Sequence, residues 1–227
     1  MGSEFSKSID ENKPLLKCVV AVIVHIRDAL IEVLHDPLRG EIPSDPQTLY
    51  KFFEKQQDKI KKLEKKGVLK AHQIALLLPQ NQRTFSSKWD ITLICVVLIS
   101  FSKLPPPTNG WSKPRDVGDF SVSAFVVVAR NELRNRLNHG TAEDFNDQTI
   151  VGPFWVKIKQ ALKIFKYTKM DDFDNLETGK LDPAIFSSQI HVIMDGVDSE
   201  SERERIISIA QKWLQDHNEK SKLQSIP

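Results

Sequence analysis

Apolar positions recur at helical spacing along most of this chain. In residues 14–36, Leu16, Val20, Ile23, Ile26, Leu30 and Leu34 follow a helical period, with Pro14 at the start and Pro37 past the end. The β-branched cluster inside this run would also suit a strand, but the pattern continues too long for one. Residues 45–67 open on Asp45-Pro46, a cap followed by a first-turn proline, and close on Gly67, which predicts one helix. Residues 69–79 read as a short helix closed by Pro79. Residues 86–104 are hydrophobic nearly all round, as a central helix should be.

Residues 105–120, "PPPTNGWSKPRDVGDF", cannot form regular helix, and their prolines favour extended backbone. From Ser121 a helix is expected to run to Gly140, a good left-handed terminator. Residues 145–165 begin with turns interrupted by Gly152-Pro153 and continue as an amphipathic helix. A shorter segment follows near 182–194. Residues 198–217 start with serines and acids, then place Ile206, Ile209, Trp213 and Leu214 at helical spacing. No internal repeat and no run of alternating strands interrupts this pattern, so the fold class is all-α.

Charge changes the picture through its distribution, since the net value is only +2. Between Lys51 and Lys70, eight lysines meet only Glu54, Asp58 and Glu64. This stretch, with Lys61, Lys62 and Lys65 among its cations, could track the phosphates of a polyanion or be an ordinary solvated face. Lys157, Lys159, Lys163, Lys166 and Lys169 form a second basic stretch, while residues 171–204 are rich in acids. Cys18 and Cys95 lie in apolar runs and read as buried, reduced thiols of a cytoplasmic protein. Residues 18–24 and 91–99 are too short to span a bilayer, so no membrane association is expected. "MGSEFS" fits a myristoylation pattern, but reads better as translated cloning sites, making Met1–Phe5 a vector remnant on a piece of a longer protein.

The densest chemistry is "RNELRNRLNHG", residues 130–140, directly after "FVVVA". One account is structural: Glu132 pairs with Arg136 four residues on, and His139 suits the negative end of the helix dipole. The other is RNA cleavage. A histidine can take the ribose 2′-hydroxyl proton near neutral pH, and an arginine fork can hold the phosphate as charge builds on it. On a regular helix Arg134 and His139 diverge by roughly 140°, whereas Asn135 and His139 share a face. One copy therefore makes a poor site, and two copies around a two-fold axis could make a good one. The functional account thus expects a homodimer.

"RNRLNH" (134–139) has the Arg-polar-x-x-x-His form of HEPN domains, all-α modules that include metal-independent endoribonucleases. Its surroundings, "LLLPQNQRTFSSKWDITLICVVLI", "LPPPTNGWSKPRDVGDFSVSAF" and "FWVKIKQAL", resemble the HEPN-like domain of the DAZ-interacting RING-type ubiquitin ligase and its animal relatives. The resemblance covers roughly Leu15 to Phe165. It implies an all-α HEPN-like bundle with a long proline-rich loop, expected over residues 6–170; beyond the resemblance, residues 171–227 are expected to form a C-terminal helical extension packed on the same domain. It further implies that Arg134 and His139 are the paired RNA-contacting or catalytic residues and that Asn135 orients them. Arg130, Asn131 and Arg136 become neighbouring RNA contacts, and which of Arg130 and Arg134 lines the cleft stays open. Many relatives carry polar groups where this chain has Val126–Ala129, and some members bind RNA or act as scaffolds without cleaving it.

Other chemistry is thin. Nine scattered glycines form no phosphate-cradling loop. His25, His35, His72, His191 and His217 show no metal-ligand spacing and are expected to be satisfied or solvated. Asp171, Asp172 and Asp174 suit a solvated turn better than a cation loop. Trp111 could stack on a base or anchor the proline loop. No cofactor and no metal are expected. The expected partner is single-stranded RNA, with a scaffold role in a larger signalling or ubiquitin-ligase protein as the alternative. Flanking domains would bring protein partners.

Overall fold

The computed structural model describes residues 13–179, 181–195, 197 and 200–224. The remnant expected at Met1–Phe5 lies outside them. Among the described residues there are eleven helices and no strand. The apolar run at 14–36 is one continuous helix, α1 (13–35), whose middle, Ala21–Ile26, widens into a π-helical turn. The pattern at 45–67 splits into α2 (Pro46–Glu54) and α3 (Gln57–Lys65). Asp45 caps α2 by accepting from the Thr48 N–H at 2.8 Å, and Gly67 closes α3 at φ 69°, as the sequence predicts. The break at Lys55–Gln56 has no glycine or proline to announce it. It follows from packing: Phe53 lodges edge-on against Trp89 and Phe101, and α3 then turns so that Lys59 lies over the Phe101 ring at 5.1 Å.

After α4 (Ala71–Leu77), the run predicted to start at 86 first makes a short 3₁₀ turn, Ser86–Lys88. The central helix α5 (Ile91–Phe101) begins only where Asp90 accepts from the Leu93 N–H at 2.7 Å. Arg27 of α1, 2 % exposed, donates through Nε to the Trp89 carbonyl at 2.6 Å and through Nη2 to that of Ser87. A buried arginine thus ties down the backbone that leads into α5.

The proline-rich stretch is irregular throughout, as expected. Asp119 holds it by accepting from the N–H groups of Thr108 (2.8 Å) and Ser121 (2.9 Å), and these bonds keep its carboxyl well below the usual carboxylate range. Then comes α6 (122–139), α-helical at both ends with a second π turn at Ala129–Arg134. After α7 (Ala142–Asn146), α8 (Gln148–Phe165) is continuous through Pro153, so the interruption expected at Gly152-Pro153 does not occur. A proline at this position crowds only the carbonyl four residues back, that of Thr149, which is exposed in the first turn where water can serve its carbonyl.

Helices α1, α5, α6 and α8 form the core, and α1 and α6 meet at their π turns. The last three helices are α9 (Met170–Thr178), α10 (Pro183–Asp195) and α11 (Glu200–Gln224). Helices α9 and α10 pack on α1, and Phe173, Phe186, Ile206 and Trp213 belong to the same buried cluster as the bundle. Cys18 and Cys95 are free and buried, and burial pushes both thiols up to about 12. No described helix is long and apolar enough to cross a membrane.

Two histidines sit inside this framework. His25, 6 % exposed, shares a hydrogen bond between Nδ1 and the Tyr167 hydroxyl at 3.1 Å. His35 contacts the Ile42 carbonyl at 2.9 Å and the Ser86 hydroxyl at 2.8 Å. Burial lowers the pKa of both, so the folded state favours neutral imidazoles. The unfolded chain binds protons at these sites below about pH 6.5, so stability fully present above that pH is lost progressively as pH falls from it toward the lowered folded-state values. The melting temperature is expected to drop between about pH 7.5 and 5.5, a window above the titration of ordinary carboxylates. In His25→Gln the slope should flatten, and an unchanged slope in that variant would assign the effect elsewhere.

Candidate nucleic-acid interface

The candidate site is the end of α6 that leaves the core. Ser121 starts the helix by accepting from the Ala124 N–H at 3.2 Å, and every residue from Ser123 to Ala129 is at most 2 % exposed. Beyond Ala129 only Leu133 and Leu137 stay buried, four residues apart on one stripe. The donor block therefore faces outward because two leucines hold one side of the helix down. The π turn rotates the two α-helical ends of α6 by about 100° relative to each other.

This turn helps sort the arginines. Arg130 points back to the proline loop, donating through Nη2 to the Trp111 carbonyl at 2.8 Å and through Nε to Asn131 Oδ1 at 2.8 Å. Trp111 is half-buried against the core, which is the anchoring arrangement. Arg136 reaches Asp144 at 3.9 Å, and Glu132 pairs with Lys157 of α8. The Glu132–Arg136 pair expected along the helix is therefore replaced by two bridges to other helices. Both residues, with Ile150, Pro153, Phe154 and Lys157, line a groove of about 400 Å³ between α6 and α8. The groove arginine of the single chain is thus Arg136.

Arg134 is half-buried and lies against Asn135 Oδ1 at a long 3.5 Å. His139 is exposed and makes no hydrogen bond or ion pair among the described residues. The segment Asn135–His139 is regular α-helix, so Arg134 and His139 still point about 140° apart. The fold brings Arg134 to Asn135 and leaves His139 free.

Gly140 ends the helix for a reason other than the one the sequence suggests. Its φ of −76° is not left-handed. A β-carbon there would come within 2.5 Å of Phe145 Cε2 and 2.8 Å of the Arg136 carbonyl, so the requirement is close approach. Two of the last carbonyls at this end are met by Arg205 of α11, which donates to Gly140 at 2.9 Å and to Leu137 at 2.8 Å. Nothing local in residues 198–217 marks Arg205, because its role depends on a contact 65 residues away.

Lys61, Lys62 and Lys65 are exposed on α3. None of them makes an ion pair among the described residues. The second basic stretch differs: Lys157 pairs with Glu132, Lys159 with Asp174 (2.7 Å) and Glu177 (2.9 Å), and Lys169 with Asp28 (3.4 Å). Much of that charge is neutralised within the fold. Asp171, Asp172 and Asp174 lie in the first turns of α9, not in an open turn. Among the described residues no group of three histidine, cysteine or acidic side chains could hold a metal ion. His191 and His217 lie outside the residues whose side chains are described.

Residues 46–189 match the family model described as DZIP3/hRUL138-like HEPN. The match starts at α2, later than Leu15, and runs past Phe165 into α10, with all of α6 inside it. No curated protein and no solved structure matches the chain.

Proposed function

The chain belongs to the DZIP3/hRUL138-like HEPN family, and on that premise we propose that it engages single-stranded RNA and cleaves it without a metal. The site is assembled in the cytoplasm from two copies of α6. The observation that carries this reading is the division of labour along α6. Arg130 and Arg136 are occupied by Trp111 and Asp144, while Asn135 and His139 stay exposed at the helix end with Arg134 beside them. In the proposed reaction His139 removes the 2′-hydroxyl proton or protonates the leaving oxygen, Arg134 donates to the phosphate, and Asn135 orients them. The two-fold axis supplies what a single helix withholds, an arginine and a histidine on one scissile phosphate. The test is cleavage of a fluorescent single-stranded RNA in EDTA, beside a mass measurement in solution. Cleavage by a dimer supports the reading. A dimer that binds RNA and never cuts it would place the chain among scaffold modules.

The unpaired lysines of α3 supply the track on which the strand lies. Each lysine–phosphate contact releases condensed counterions, so binding weakens with salt in proportion to the contacts made. Replacing Lys61, Lys62 and Lys65 by alanine is expected to lower the slope of log affinity against log salt by about two for a single strand. Fluorescence anisotropy at several salt concentrations reads the slope. An unaltered slope would remove α3 from the RNA path.

A further inference from the structure

A second cleft, about 390 Å³, opens between α1, the segment after α8, α9 and the start of α10, and its size falls in the small-molecule range. Val20, Val24, Leu176 and Leu181 give it an apolar wall. Its charged lining is Asp28, Asp172 and Asp182 against Lys169 alone, an excess of two negative charges. Asp28 lies on α1, Asp172 on α9, and Asp182 immediately before α10. Lys169 already rests on Asp28 at 3.4 Å, and Asp182 accepts from the Ala184 N–H at 2.7 Å. Asp172 makes no hydrogen bond or ion pair among the described residues.

The second feature is His25, carried into the cleft on the π turn of α1. It is 94 % buried, counting from its 6 % exposure, and its Nδ1 is engaged by Tyr167. Its Nε2 has no partner among the described residues and is not among their sealed, unsatisfied atoms. With Nδ1–H donating to the Tyr167 oxygen, Nε2 offers a lone pair to the cleft. Burial lowers the pKa of the imidazole, which favours the neutral form with that lone pair free.

Among the described residues no group of three histidine, cysteine or acidic side chains there could hold a metal ion. An anion finds one cation, which is already paired. What this lining suits is a positive group that donates hydrogen bonds and has a short apolar body. We propose that the cleft binds a small alkylammonium ion, its carbon chain on the apolar wall and its N–H groups donating to Asp172 and His25 Nε2. This site is independent of the RNA reading and survives its failure.

The test titrates the full chain at neutral pH with n-butylammonium, n-butanol and butyrate, following the His25 imidazole resonances by NMR, assigned with His25→Gln. The amine is expected to move them with a Kd on the order of 1 mM, the scale for so few heavy atoms. The alcohol should bind at least tenfold more weakly, and butyrate should leave the resonances in place. Asp172→Asn should weaken amine binding about fivefold, and Lys169→Gln, which frees Asp28, should strengthen it about threefold. Equal binding of alcohol and amine, a response to butyrate, or still resonances at tenfold above that Kd would each overturn the proposal. So would both substitutions shifting affinity in the same direction.

Discussion

Arg134→Ala and His139→Ala are each expected to lower RNA cleavage in EDTA by at least about 10²-fold. Truncating the arginine removes a donor from a phosphate whose charge grows in the transition state, so the loss should fall on kcat more than on KM. Truncating the histidine removes the group that takes the 2′-hydroxyl proton or protonates the leaving oxygen. Neither change should unfold the chain: His139 is exposed, and the contact of Arg134 with Asn135 is a long 3.5 Å. The two variants also test where the site lies. Once mixed and allowed to exchange subunits, they form dimers carrying one intact arginine and one intact histidine. A composite cleft should then recover up to about half of the wild-type rate, since half the dimers are mixed. A mixture as inactive as its components would mean that each chain cuts alone, and the two-fold site would be abandoned.

Gly140→Ala is expected to cost about 2 kcal/mol, as overpacking against a rigid neighbour does. For a chain of this size that lowers the melting temperature by roughly 4–8 °C. The new methyl would meet the Phe145 ring at 2.5 Å and the Arg136 carbonyl at 2.8 Å. Phe145 is fully buried, so its ring has little freedom to retreat. The comparison with Gly140→Asn decides the cause. Asparagine is the best substitute at a left-handed helix end, whereas at a site closed by close approach it should be at least as damaging as alanine. A milder asparagine variant would restore the left-handed terminator. The same pair of proteins reports on function, since Arg205 holds the Gly140 carbonyl one residue from His139.

Local signals in the sequence hold where one residue is enough to impose them. Asp45 and Ser121 cap the helices they precede, Gly67 closes α3, and the prolines of 105–120 forbid a helix there. The period of apolar residues placed the core helices because burial of a stripe is a property of the stripe itself. The candidate site was legible as residue types: three arginines, three asparagines and a histidine after a buried run. Which of them are engaged was not. Arg130 finds Trp111, Arg136 finds Asp144, Glu132 finds Lys157, and Arg205 finds the helix end, all through contacts between elements.

Residue types and their spacing are enough to specify an all-α chain, several of its caps and stops, and a donor-rich helix end. Those features come from backbone conformation and from the spacing of apolar side chains, both of which act over a few residues. Tertiary structure alone decided the break between α2 and α3, the paired π turns where α1 and α6 meet, and the neutralised lysines of α8. It also decided why Gly140 must be glycine. Each of those depends on which surface arrives opposite. Helical spacing says which side of a helix faces inward, but not what it meets there.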